Sequence, residues 1–109
     1  MSTISKDNKV VTLINVFTVG PENQQRLVDV LLEATEKTMK HLPGFVSASI
    51  HRSFDGAKVV NYAQWRSRED FAAMMRNPEA HPHMAAAAAL AEFDPILCVV
   101  IDSIDSIGA

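Results

Sequence analysis

The sequence predicts an α+β domain in which strands and helices follow the order β-α-β-β-α-β. Three observations carry this expectation. Runs dense in β-branched residues stand at positions 10–19 and 96–104. Residues 45–54 and 57–65 read as two strands around Asp55-Gly56. Two segments with helical character lie between these strands, one on each side of the hairpin.

The elements follow in order. Residues 1–9 are polar and are expected to fray, leaving residues 10–109 as a single domain. The first strand is apolar on both faces, with Val10, Ile14 and Val16 on one and Val11, Leu13 and Phe17 on the other. Gly20-Pro21-Glu22 starts a helix, because Pro suits the first turn and an acid suits the positive end of the helix dipole. Leu27, Leu31, Ala34, Thr38 and Leu42 recur at helical spacing and predict about five turns, ended by Pro43-Gly44. Asp55-Gly56 suits a two-residue hairpin loop, whose two positions both need positive φ. That loop sets the register: Ile50 opposite Asn61, Ala48 opposite Ala63, Val46 opposite Trp65. Ser67 followed by Asp70 caps a second helix through Phe71, Met74 and Met75. Asn77-Pro78 and His81-Pro82 interrupt it, and an alanine run carries it from Met84 to Ala91. Asp94-Pro95 stops it, and residues 96–104 form the last strand.

With right-handed crossovers, this order gives a ferredoxin-like fold: a four-stranded antiparallel sheet with both helices on one face. The first and last strands are apolar on their second face too, where Ile96, Cys98 and Val100 stand against Leu97, Val99 and Ile101. That face needs a cover, and a second copy of the chain is the simplest one, so a homodimer packed sheet to sheet is expected.

Composition excludes several classes. The chain has 109 residues, ten Lys plus Arg and thirteen Asp plus Glu, for a net charge of −3. No basic cluster suits nucleic acid, and no apolar run suits a membrane span. Residues 1–9 carry no apolar secretory stretch, so a cytoplasmic location is expected. The single cysteine, Cys98, sits in an apolar strand and is expected to be inert, and it leaves no disulfide framework or multi-cysteine zinc site.

The hairpin register gathers the candidate site. One face carries Val46, Ala48, Ile50, Val59, Asn61, Ala63 and Trp65; the other carries Phe45, Ser47, Ser49, His51, Val60, Tyr62 and Gln64. Small Ala48 and Ala63 leave room between an amide and an indole, as a pocket floor would. A buried Asn61 needs hydrogen-bond partners, either a loop backbone or a ligand. Asn15 is the odd polar residue in a strand otherwise of apolar residues and threonines. His41, at the end of the first helix, favours the helix dipole, and His51 suits the dimer face. His81 and His83 flank Pro82 where a helix N-terminus keeps an imidazole neutral, fit to act as a base. Met74, Met75 and Met84 suit a pocket for a flat aromatic ligand. No Gly-rich phosphate loop, Ser/His/Asp pattern or metal motif is present.

Val59-Val60-Asn61-Tyr62-Ala63-Gln64-Trp65, after the Asp55-Gly56 turn and before Ser67-Arg68-Glu69-Asp70-Phe71, resembles the antibiotic biosynthesis monooxygenase family. Leu42-Pro43-Gly44-Phe45 and the Gly20-Pro21 helix start fit as well, so the resemblance spans roughly residues 10–104. It is similar in particular to the cofactor-free oxygenases of aromatic polyketide pathways. The resemblance implies a dimeric α+β barrel and oxidation of a phenolic or anthrone-like substrate to a quinone, with no flavin, haem or metal. It implies that Asn61 and Trp65 act in the pocket; beside them His81, or His83, is the candidate base. Asn15, Ala48, Ile50, Ala63, Phe71, Met74, Met75, His83 and Met84 would then line the substrate. A family Tyr falls on Phe71 without its hydroxyl, and a family Arg falls near Met84. Two other readings remain at this point: a haem-degrading relative using Asn15 and His81, and a non-enzymatic barrel that binds a small molecule.

Overall fold

A computed structural model describes residues 2–108. Its elements are β1 (Val11–Val19), a 3-10 turn (Pro21–Asn23), α1 (Gln24–Lys37), a second 3-10 turn (Met39–His41), β2 (Phe45–Arg52), β3 (Lys58–Trp65), α2 (Arg68–Arg76), α3 (His81–Ala88) and β4 (Ala91–Cys98). The strands form one sheet in the order β2-β3-β1-β4, antiparallel throughout. The helices pack on one face, as the ferredoxin-like order requires.

The core on that face is split. Leu13, Ala63, Trp65, Met74 and Ala80 form one buried cluster. Phe17, Val19, Leu27, Val59 and Ala87 form another. The alternation of a strand explains the split: Asn15 stands between Leu13 and Phe17 on β1, and Asn61 stands between Val59 and Ala63 on β3. Two amides therefore occupy the row where apolar side chains would have joined the clusters.

Several boundaries depart from the sequence reading. α1 stops at Thr38 (φ −128°), so the expected five-turn helix is a shorter helix and a 3-10 turn. The hairpin loop has four residues, because Ser53 N–H donates to the Lys58 carbonyl at 2.9 Å. Only Gly56 takes positive φ there (81°); the Asp55 carboxylate instead accepts from Ala57 N–H at 3.0 Å and Ser53 Oγ at 2.6 Å. Register survives the longer loop, since Ile50 still faces Asn61 and Ala48 faces Ala63. A bulge between Phe45 and Ser47 then shifts the far end, so that Phe45, not Val46, pairs with Trp65.

The second helix breaks once, at residues 77–80, with Asn77 N–H bonded to the Met74 carbonyl at 3.0 Å. Pro82 does not interrupt α3; it sits in its first turn, where no backbone N–H is needed. The last strand begins at Ala91 rather than residue 96, and it ends at Cys98. Asp94-Pro95 lies inside it, because β4 is a sheet edge and an edge strand tolerates proline. Cys98 therefore closes the strand rather than standing at its centre. The expected Ser67 cap is present, its hydroxyl accepting from Asp70 N–H at 3.0 Å. Residues 2–9, read as frayed, bond to the sheet's other face: Gln64 Nε2 donates to the Thr3 carbonyl at 2.7 Å.

Candidate active site

A cavity fills the gap between the two core clusters. Its volume is about 150 Å³. The floor is Leu13, Asn15 and Phe17 from β1, Ala48 from β2, and Asn61, Ala63 and Trp65 from β3. Leu31, Ala34 and Thr35 of α1 roof it, and Phe71, Met74, His83 and Met84 close a side. Phe93 and Pro95 of β4 border it.

Trp65 is held in place by aromatic edges. Phe45 meets it at 88° with ring centroids 5.5 Å apart, and Phe71 meets it at 78° and 6.1 Å. Such edge-to-face pairs fix a ring's orientation. The bulge of β2 is what brings Phe45 to this face. Ala48 and Ala63, paired directly across the strands, keep the adjoining floor low.

Asn15 and Asn61 are directly opposite each other on β1 and β3. Among the described residues, both Oδ1 atoms are buried without a hydrogen-bond partner. An unsatisfied buried amide costs about 1–3 kcal/mol. Two such groups lining one cavity suit a guest with polar atoms of its own.

The histidines separate. His83 lines the cavity, and its Nε2 lies 2.9 Å from the buried Thr38 hydroxyl. His81 lies outside: it is exposed, and its Nε2–H donates to the Met75 carbonyl at 3.1 Å. Of the two histidines expected as candidate bases, His81 therefore stands outside the cavity, because α3 begins at that residue and turns its ring to the Met75 carbonyl. The haem reading loses the same residue, since Asn15 is in the cavity and His81 is not. Ile50 also departs from expectation: it packs against the Leu27 and Val59 cluster instead of lining the cavity. Near His83, the Glu33 carboxyl is held below its usual range by the Lys37 hydrogen bond and charge, with a smaller pull from His83.

The other expected lining residues come together: Asn15, Ala48, Asn61, Ala63, Trp65, Phe71, Met74, Met75, His83 and Met84. Phe45 was missed because a bulge leaves no mark in a short strand. Leu31 and Thr35 were readable as the helix row that faces the sheet. Among the described residues, no group of three or more His, Cys, Asp or Glu side chains could hold a metal ion.

Sheet, helix layer and cavity together define a small ferredoxin-like protein with a largely apolar cavity lined by a few polar groups. The family description "antibiotic biosynthesis monooxygenase" matches residues 10–89. The chain is 48% identical over 103 residues to the tetracenomycin-F1 monooxygenase of Streptomyces glaucescens, covering 94% of this chain and 92% of that one. Its structure is similar to a Streptomyces coelicolor monooxygenase, ActVA-Orf6, solved with nanaomycin D (TM-score 0.82, 28% identity, 92% of this chain and 96% of that one). It is also similar to SnoaB of Streptomyces nogalater, a cofactor-independent oxygenase, in a single-residue variant (TM-score 0.78, 25% identity, 90% and 99% covered). The chain belongs to the antibiotic biosynthesis monooxygenase family. Within it, the chain is a cofactor-independent monooxygenase.

Proposed function

We propose that this enzyme oxidises a polycyclic phenol or anthrone of the tetracenomycin F1 type to a quinone with dioxygen, the substrate supplying the electrons. The observation that carries the reading is the pair of unpartnered amide oxygens, of Asn15 and Asn61, in an apolar cavity beside Trp65. Dioxygen is a ground-state triplet and reacts slowly with closed-shell molecules. An electron-rich phenolate or enolate overcomes this by giving up one electron, so no flavin, haem or metal is required. An anthrone methylene plus dioxygen then yields the ketone and one water.

The chain's part is to bind, orient and stabilise charge. Trp65 and the methionines hold the flat rings. Asn61, with Asn15 beside it, donates N–H to the oxygen that becomes negative, in a site from which water is largely excluded. Oxygen uptake by the purified protein with 1,8-dihydroxyanthrone tests the reading. Quinone formation that falls in Asn61→Ala is expected; uptake no faster than the spontaneous rate overturns it.

The working unit in this reading is a homodimer packed through the open sheet face. Ile96 on that face is 45% exposed, and the apolar residues beyond β4, Val99, Ile101 and Ile104, are 69%, 81% and 89% exposed. Exposed apolar residues of this kind favour a partner. Light scattering is expected to give the dimer mass at micromolar concentration, and a monomer would overturn it. No helix among the described residues is long and apolar enough to cross a membrane, and a biosynthetic enzyme of this kind fits the cytoplasm.

A further inference from the structure

We infer that His83 accepts the substrate proton that starts the oxygenation, and that Thr38 positions it; the inference rests on the oxygenase reading above. Among the described residues that line the cavity, His83 alone carries a side chain that titrates. The neutral phenol or anthrone is a poor electron donor and its anion a good one. The proton must therefore leave inside an otherwise apolar cavity, and one side chain there can take it.

The surroundings suit that task. His83 is in the first turn of α3, and its side chain lines the cavity. From α1, the Glu33 carboxylate is engaged by Lys37 Nζ at 2.8 Å and lies below its usual range for that reason. On β4, Glu92 and Asp94 belong to the sheet's opposite face, by their pairing with Thr18 and Val16. On α3 itself, His81 is turned to the Met75 carbonyl; just ahead of α3, Glu79 is exposed.

Thr38 is the tether. α1 ends at this residue, which is only 9% exposed, and its hydroxyl lies 2.9 Å from His83 Nε2. With Nε2–H donated to Thr38 Oγ1, the lone pair is on Nδ1, the form that acts as a base. Nδ1 takes the substrate proton and the electron pair stays on the rings. Dioxygen accepts those electrons and bonds to the carbon, and the resulting peroxide recovers the proton from Nδ1. Collapse to the ketone breaks the O–O bond, removes the remaining hydrogen on that carbon as a proton, and releases one water. The imidazole is regenerated, with Nε2–H on Thr38 throughout.

The test uses 1,8-dihydroxyanthrone in two experiments. In anaerobic titration at neutral pH, the wild-type protein is expected to bring out the anion's absorbance, and His83→Gln to bind without it. In aerobic turnover, His83→Gln is expected to lower kcat at least about 100-fold at neutral pH. The loss should shrink at high pH, where the substrate ionises unaided. Thr38→Val is expected to lower kcat about 10-fold with little change in KM and to move the midpoint of the pH profile, with Thr38→Ser restoring both. A His83→Gln protein that ionises the anthrone like wild type, or a wild-type protein that leaves it neutral, overturns the inference. Ionisation that depends on His83 without oxygen uptake would overturn the oxygenase reading alone and leave the proton acceptor in place.

Discussion

Asn15 and Asn61 face each other across β1 and β3, and neither amide oxygen has a partner among the described residues. Their place in the alternation divides the core and creates the cavity. Asn61→Ala is expected to lower kcat about 100-fold, the usual effect of losing one donor to a developing oxyanion. Asn61→Leu should raise Tm while abolishing turnover, because it replaces an unsatisfied polar group with apolar volume. Thermal melts beside oxygen-uptake assays check both, and a lower Tm in Asn61→Leu would mean that the amide is structurally satisfied.

Ala48 and Ala63 form the low part of the floor. Ala48→Leu adds three carbons to a half-open surface rather than to a packed interior. Loss of anthrone binding is expected, with Tm changed by only a few degrees. Binding followed by tryptophan fluorescence reads this directly, since Trp65 is the sole tryptophan of the chain and lines the same cavity.

Asp70 ties the start of α2 to the strand before it. Arg66 Nε and Nη2 donate to its carboxylate at 2.8 and 2.9 Å, and Ser67 Oγ donates at 2.8 Å. Arg66 first, then Ser67, hold the Asp70 carboxyl below its usual range. A carboxyl lowered on folding stabilises above its unfolded pKa, about 4, and loses that contribution as pH falls through the folded value. The stability difference between wild type and Asp70→Asn should therefore shrink from about pH 6 to about pH 2. Denaturant titrations at each pH measure it, and a constant difference would contradict the assignment.

Gly44 takes φ +84°, and a Cβ there would collide with the Asp70 side chain. Its carbonyl also accepts from Arg66 N–H at 2.7 Å. Gly44→Ala is expected to lose about 2 kcal/mol in denaturant unfolding. Its effect should diminish in Asp70→Ala, which removes the colliding carboxylate.

Much of this fold was legible because its signals are local. Ser67 caps α2 from a three-residue spacing, and the register placing Asn61 opposite Ile50 held although the loop proved longer. Ser53 explains why: its hydroxyl and backbone both bind Lys58, so the extra residues stay outside the ladder. The start of β4 was not legible. Asp94-Pro95 reads as a helix stop, and only the edge position of that strand makes a proline admissible inside it.

The sequence by itself determined the element order, the sheet face shared by Asn61, Ala63 and Trp65, and the family to which they point. These follow from periodicity and turn chemistry, which act over a few neighbouring residues. The tertiary structure alone decided that Phe45 rather than Val46 meets Trp65, and that His83 rather than His81 lines the cavity. It alone brought Thr38 to His83, 45 residues away. A one-residue bulge reverses which side chain enters a face, and the start of a helix sets where each of its rings points. Both are fixed by packing between distant segments, which no local pattern encodes.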